Sequence, residues 1–199
     1  MNKNNLYSIK VKAVPIESQL ENPESCGFGI TQKIKIIGIY NPKCEYKIFY
    51  NEDESKLLKD FWDYVNDINN DVVTLVGWAS KSYDFPLIYQ RTIINKIYIT
   101  NMRFPLISEL QNYKNDNLLD AALLWKCGGS KCDSLYQVAR TLNYFHDEEK
   151  RIAFKEMSDH YEVFYKMYLA DISNNNIGKA TIFLRDQLKF IWDIADLLV

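Results

Sequence analysis

The run Val72-Val73-Thr74-Leu75-Val76 is apolar or β-branched throughout and stops at Gly77. A strand with one wet face alternates apolar and polar residues. This one does not, so it predicts a buried strand. A short polar turn follows, and then Tyr83-Asp84-Phe85-Pro86-Leu87-Ile88 opens a new apolar pattern that predicts a helix over 85–94. Strand, turn and helix in that order set a lone acid, Asp84, beside the C-terminal end of a strand. Ligands of open α/β sheets bind at that end. An Asp at such a place also suits a helix N-cap, and the residues alone support both roles.

The chain before this point reads as strands. Tyr7 to Val14 alternates, as does the Ile- and Lys-rich stretch from Phe28 to Tyr40, and Glu45 to Tyr50 follows a turn at Pro42. Such strands suit antiparallel neighbours. Asp53-Glu54-Ser55 starts a helix, with Leu57, Leu58, Phe61, Trp62, Val65 and Ile68 at helical spacing. The second half is mainly helical. Ile97 to Thr100 reads as a short strand and Pro105 to Tyr113 as a helix, while Leu118 to Trp125 suits either strand or helix. Ser134 caps a helix to Leu142, a longer helix covers 156–172, and the last runs from Ile177 to about Leu198. Its stripe is Ile177, Thr181, Leu184, Leu188, Ile191, Ala195 and Leu198, with Asp186 and Asp193 almost opposite.

Tyr83-Asp84-Phe85-Pro86-Leu87, after a buried strand, resembles the second motif of the DEDD-type 3′–5′ exonucleases, the DnaQ-like and family-B-polymerase-like superfamily. There a strand runs into Asn-Gly-x-x-Phe-Asp-x-Pro-x-Leu and the Asp binds a catalytic metal. Ala79-Ser80 stand here in place of Asn-Gly. The resemblance implies an α/β, RNase H-like mixed sheet, with three antiparallel strands, a helix and a parallel strand, and a helical C-terminal half. It spans roughly Tyr7 to Leu198, so residues 1–199 read as a single domain of this type.

Such enzymes hydrolyse phosphodiester bonds with two divalent ions held by converging carboxylates. The resemblance implies Mg²⁺ or Mn²⁺ and a nucleic-acid substrate, a single-stranded end above all. The family's first motif is Asp-x-Glu on the first strand, and Val14-Pro15-Ile16-Glu17 matches it with Pro15 in the Asp position. Its third is Tyr-x-x-x-Asp on a late helix, matched by Ile182-Phe-Leu-Arg-Asp186, with Asp171 as a rival. The implied catalytic metal ligands are therefore Glu17, Asp84 and Asp186, a water replacing the missing Asp. Asp120 falls where the family often has a supporting acid, and a helix cap accounts for it equally well. Trp78, Lys81 and Arg91 are candidate nucleic-acid contacts. The alternative is a degenerate member that keeps the fold and serves as a nucleic-acid-binding or protein-interaction module.

Charge and composition narrow the classes further. A net charge of −2 excludes a generally basic coat, so a nucleic-acid contact needs a local patch. No apolar run is long enough for a membrane span, and Met1-Asn-Lys-Asn-Asn carries no apolar signal core, which predicts a cytoplasmic protein. Cys26, Cys44, Cys127 and Cys132 lack zinc-site spacing and read as free thiols, with a disulfide or zinc as minor possibilities. Oligomeric state is open at this level.

Overall fold

A computed structural model describes residues 5–16, 31–43, 45–68, 73–99, 118–127, 129, 133–145, 147–159, 161–173 and 178–198. Five strands among these form one mixed sheet: β1 (Leu6–Pro15), β2 (Gln32–Asn41), β3 (Glu45–Tyr50), β4 (Thr74–Gly77) and β5 (Leu118–Asp120), in the order β3-β2-β1-β4-β5. β1, β2 and β3 pair antiparallel, whereas β4 runs parallel to β1 and β5 parallel to β4. The implied mixed sheet is therefore present, with β5 as one more parallel strand.

Helices cover both faces. α1 (Glu54–Asp67) crosses from β3 to β4, and α2 (Asp84–Ile94) leaves β4. α3 (Ala121–Lys126), α4 (Leu135–Thr141), α5 (Glu148–Asp159), α6 (Tyr161–Ser173) and α7 (Lys179–Leu198) follow β5. The pleat of β1 sorts its residues. Tyr7, Ile9, Val11 and Ala13 join the core that includes Leu57, Leu58 and Phe61 of α1 and Leu87 and Ile88 of α2. Leu6 and Ser8 face the other way, where the Ser8 hydroxyl donates to the Leu188 carbonyl of α7 at 2.6 Å. Leu75 of β4 packs in the first core and Val76 in the second. That double coverage is why the Val72–Val76 run lacks polar alternation.

Local signals match the elements they predict. The Asp53 carboxylate accepts from the Ser55 amide and caps α1. Ser134 and Gln137 form a reciprocal capping box at α4. Leu118 to Trp125 turns out to be both strand and helix, because Asp120 ends β5 and caps α3. Other expectations change. Residues 97–99 form no strand, and the described residues of the helix expected over 156–172 fall in α5 and α6, with position 160 outside the described residues. The buried face of α7 is wider than its stripe: Phe183, Gln187, Phe190 and Ile194 are also covered, since α7 packs on the sheet and on α5 and α6 at once. Leu198 is exposed. The helix expected over 105–113 lies outside the described residues, as do Cys26, Cys44 and Cys132; Cys127 is free and exposed. No helix among the described residues is long and apolar enough to cross a membrane.

Candidate functional site

The turn between β4 and α2 builds the site. A Cβ on Gly77 would sit 2.4 Å from the Ser80 Cβ, so the chain folds back there over a residue without a side chain. Ala79 follows in the left-handed region, with φ 54°. Asp120, at the end of β5, holds this turn from the side. Its Oδ1 accepts from the Ala79 amide at 3.0 Å and its Oδ2 from the Lys81 amide at 2.9 Å. The same Oδ1 accepts from Ala122 and caps α3. Asp120 is thus both support and cap.

Asp84 is the first residue of α2, but it is not its cap: Tyr83 holds the N-cap position with no side-chain cap bond. The Asp84 carboxylate is fully buried and turns to β1. The Lys10 ammonium donates to both oxygens, at 3.1 and 3.4 Å. Two residues on, Lys12 is buried on the same face of β1, its Nζ 4.8 Å from the Phe164 ring centroid and 5.3 Å from that of Phe183. Burial, helped by the neighbouring Lys10 charge, pushes the Lys12 ammonium down to about 7, against the pull of Asp84. Burial likewise pushes the Asp84 carboxyl up, and Lys10 opposes it. The Tyr83 hydroxyl donates to Gln32, tying the turn to the end of β2.

The structure places the other candidates as follows. Glu17 lies outside the described residues. Asp186 is half-buried beside a cavity lined by α5 residues, and the charges acting on it are Lys150 and Lys189, not the Lys10 and Lys12 that act on Asp84. Asp171 anchors the start of α7, accepting from the Thr181 amide and hydroxyl at 3.0 and 3.1 Å. Trp78 is a core residue, 6% exposed, packed in the cluster under α7. Arg91 is not available to a nucleic acid either: its guanidinium is buried against Glu54 of α1, whose carboxylate also accepts from the Ile34 and Asn95 nitrogens. Lys81 is partly exposed.

A divalent ion at Asp84 needs several oxygen ligands around it. Among the described residues no three His, Cys, Asp or Glu side chains are grouped to hold one. The Lys10 ammonium stands against both Asp84 oxygens, with the buried Lys12 side chain next to it, and a cationic side chain there repels a dication. The described residues at Asp84 do not fit the family's metal pair.

The segment 32–120 matches a family model described as a predicted 3′-5′ exonuclease related to the exonuclease domain of PolB. The match holds Asp84 and Asp120 but neither β1 nor α7. Among solved structures, the family B DNA polymerase from the hyperthermophilic archaeon Pyrobaculum calidifontis aligns with TM-score 0.58 and 14% identity. The alignment covers 96% of this chain and 24% of the polymerase chain, so the chain spans about a quarter of that protein. No curated protein sequence matches. Residues 32–120 are thus similar to an exonuclease-related family, and the chain shares the fold of the aligned part of the polymerase.

Against the exonuclease motifs, the β1 residues that meet Asp84 are Lys10 and Lys12, so the register differs from the expected Pro15/Glu17 alignment. Ser8-Ile9-Lys10-Val11-Lys12 has the spacing of Asp-x-Glu with both charges reversed. A search for acids passes over it; the i, i+2 pair of lysines on an otherwise apolar strand was the available signal. On α7, Phe183 and Gln187 have the Tyr-x-x-x-Asp spacing with hydroxyl and charge both gone. Both are buried, and the Gln187 side-chain oxygen has no hydrogen-bond partner among the described residues.

Proposed function

We propose that this chain is a catalytically degenerate exonuclease-fold module that holds a phosphate of a single-stranded nucleic-acid end with lysine instead of metal. One observation carries the reading: the Lys10 ammonium, paired to Asp84 at 3.1 Å, stands where the resemblance expects a metal-binding acid. Lys10 is the partly exposed member, its side chain 18% accessible, and Asp84 orients it. An ammonium neutralises a phosphate as a cation does. It does not lower the pKa of a bound water or hold a developing alkoxide as a coordinated metal does, so binding survives and hydrolysis does not.

Two measurements test this. Fluorescence anisotropy with labelled single-stranded DNA and RNA should show salt-sensitive binding, with Lys10→Gln lowering the salt slope by about one phosphate contact. With Mg²⁺ or Mn²⁺ present, the parent should leave both strands intact. Hydrolysis by the parent, lost in Asp84→Ala, would overturn the proposal and restore Glu17, Asp84 and Asp186 as metal ligands. No binding to any strand would sink the nucleic-acid role and leave a protein-interaction module.

A further inference from the structure

Between α5 and α7 lies a cavity of about 310 Å³, at the small end of ligand-binding cavities. Its floor is aromatic: Phe154 and Phe183 meet edge-on with centroids 4.9 Å apart, and Ile182 forms a wall. Asp186 lines the same space. Its half-buried carboxylate makes no hydrogen bond or ion pair among the described residues. Lys150, also on the rim, is the nearby charge acting on it, whereas Lys189 is engaged by Asp193 at 2.6 Å.

A ligand that satisfies this cavity needs three features. It needs a flat apolar body for the phenyl rings, donors for the carboxylate, and an acceptor beside them for Lys150. Guanine has all three. Its N1–H and 2-amino group are adjacent donors that match two carboxylate oxygens, and O6 next to them accepts from a lysine. Adenine and cytosine set an acceptor beside their amine, and it would face the carboxylate. A guanidinium satisfies Asp186 but confronts Lys150 with like charge. Phosphate is not what the rim reads, since Asp147, Glu149 and Asp186 outweigh Lys150 and Lys179. We propose that this cavity binds a guanine base through Asp186, with Lys150 on O6 and Phe154 and Phe183 beneath the ring.

Isothermal titration of the full chain with free nucleosides tests it, independently of the strand-end proposal. Guanosine should bind more tightly than adenosine or cytidine, and inosine, lacking the 2-amino group, should fall between. Asp186→Asn should weaken guanosine roughly tenfold to a hundredfold, while Lys56→Gln, at an exposed position of α1, leaves it unchanged. A single-stranded oligonucleotide ending in an unpaired guanosine forms the second arm. Tighter binding of the oligonucleotide assigns the base to a strand, and equal binding assigns it to a free nucleoside. Equal affinity for guanosine and adenosine, no binding of either at millimolar concentration, or an unaltered Asp186→Asn variant that is folded by circular dichroism would overturn the proposal. Displacement of guanosine by arginine methyl ester at lower concentration would also overturn it, in favour of a guanidinium ligand.

Discussion

Lys12 ties stability to pH. The folded chain gives up its proton near pH 7, whereas the unfolded chain keeps it to the ordinary lysine value of about 10.5. Between those values folding releases a proton, so stability should rise with pH across that window. Urea midpoints at about pH 7.5 and about pH 9.5 should show the rise, and Lys12→Met should abolish it. A flat parent profile would count against the burial of Lys12. Lys10 acts differently, because Asp84 depends on it. Lys10→Met should destabilise by about 3 kcal/mol by leaving a buried carboxylate unpaired, and adding Asp84→Asn should recover part of that. Denaturant titration of the single and double variants reads the coupling directly. A double variant less stable than the sum of the singles would mean that the two side chains do not act as a pair.

The turn between β4 and α2 depends on β5 as much as on its own residues. Asp120 engages the amides of Ala79, Lys81 and Ala122 together. Asp120→Ala therefore removes a cap and two turn contacts, with an expected loss of roughly 2–4 kcal/mol by thermal or urea unfolding. Ala79 invites the opposite change. Its φ of 54° is costly for alanine and easier for asparagine, the residue that the resembling motif carries there. Ala79→Asn should stabilise by a few tenths to about 1 kcal/mol. A loss would show that the new side chain meets its neighbours before the backbone gain is felt.

For the whole molecule, the informative measurement is melting with and without metal. A ligand that binds only the folded state raises the melting temperature. With Lys10 and Lys12 against Asp84, millimolar Mg²⁺ or Mn²⁺ should leave it unchanged. The double variant Lys10→Asp/Lys12→Glu crowds three carboxylates and should be less stable than the parent without metal, and selectively rescued by Mn²⁺. A clear rise in the parent would place a metal site in the molecule and contradict the lysine reading.

By itself the sequence determined strands β1 to β4 and the helices α1, α2, α4 and α7. The unalternating Val72–Val76 run, the antiparallel alternation before it and the helical spacings after it are local patterns, each following from which faces must be dry. It also determined that Asp84 lies at a strand end, because the order of strand, turn and helix is written in consecutive residues. Tertiary structure decided what Asp84 meets. Nothing in the residues around Pro15 or Glu17 reveals that β1 pairs with β4 through Leu6, Tyr7 and Ser8, and that register brings Lys10 rather than a later residue to the carboxylate. It also decided which side of α7 Asp186 occupies, because the helix is covered by the sheet and by α5 together and a single stripe no longer marks its buried face. Contacts between residues far apart in sequence are fixed by pairing register and packing angle, and neither leaves a mark on the local pattern.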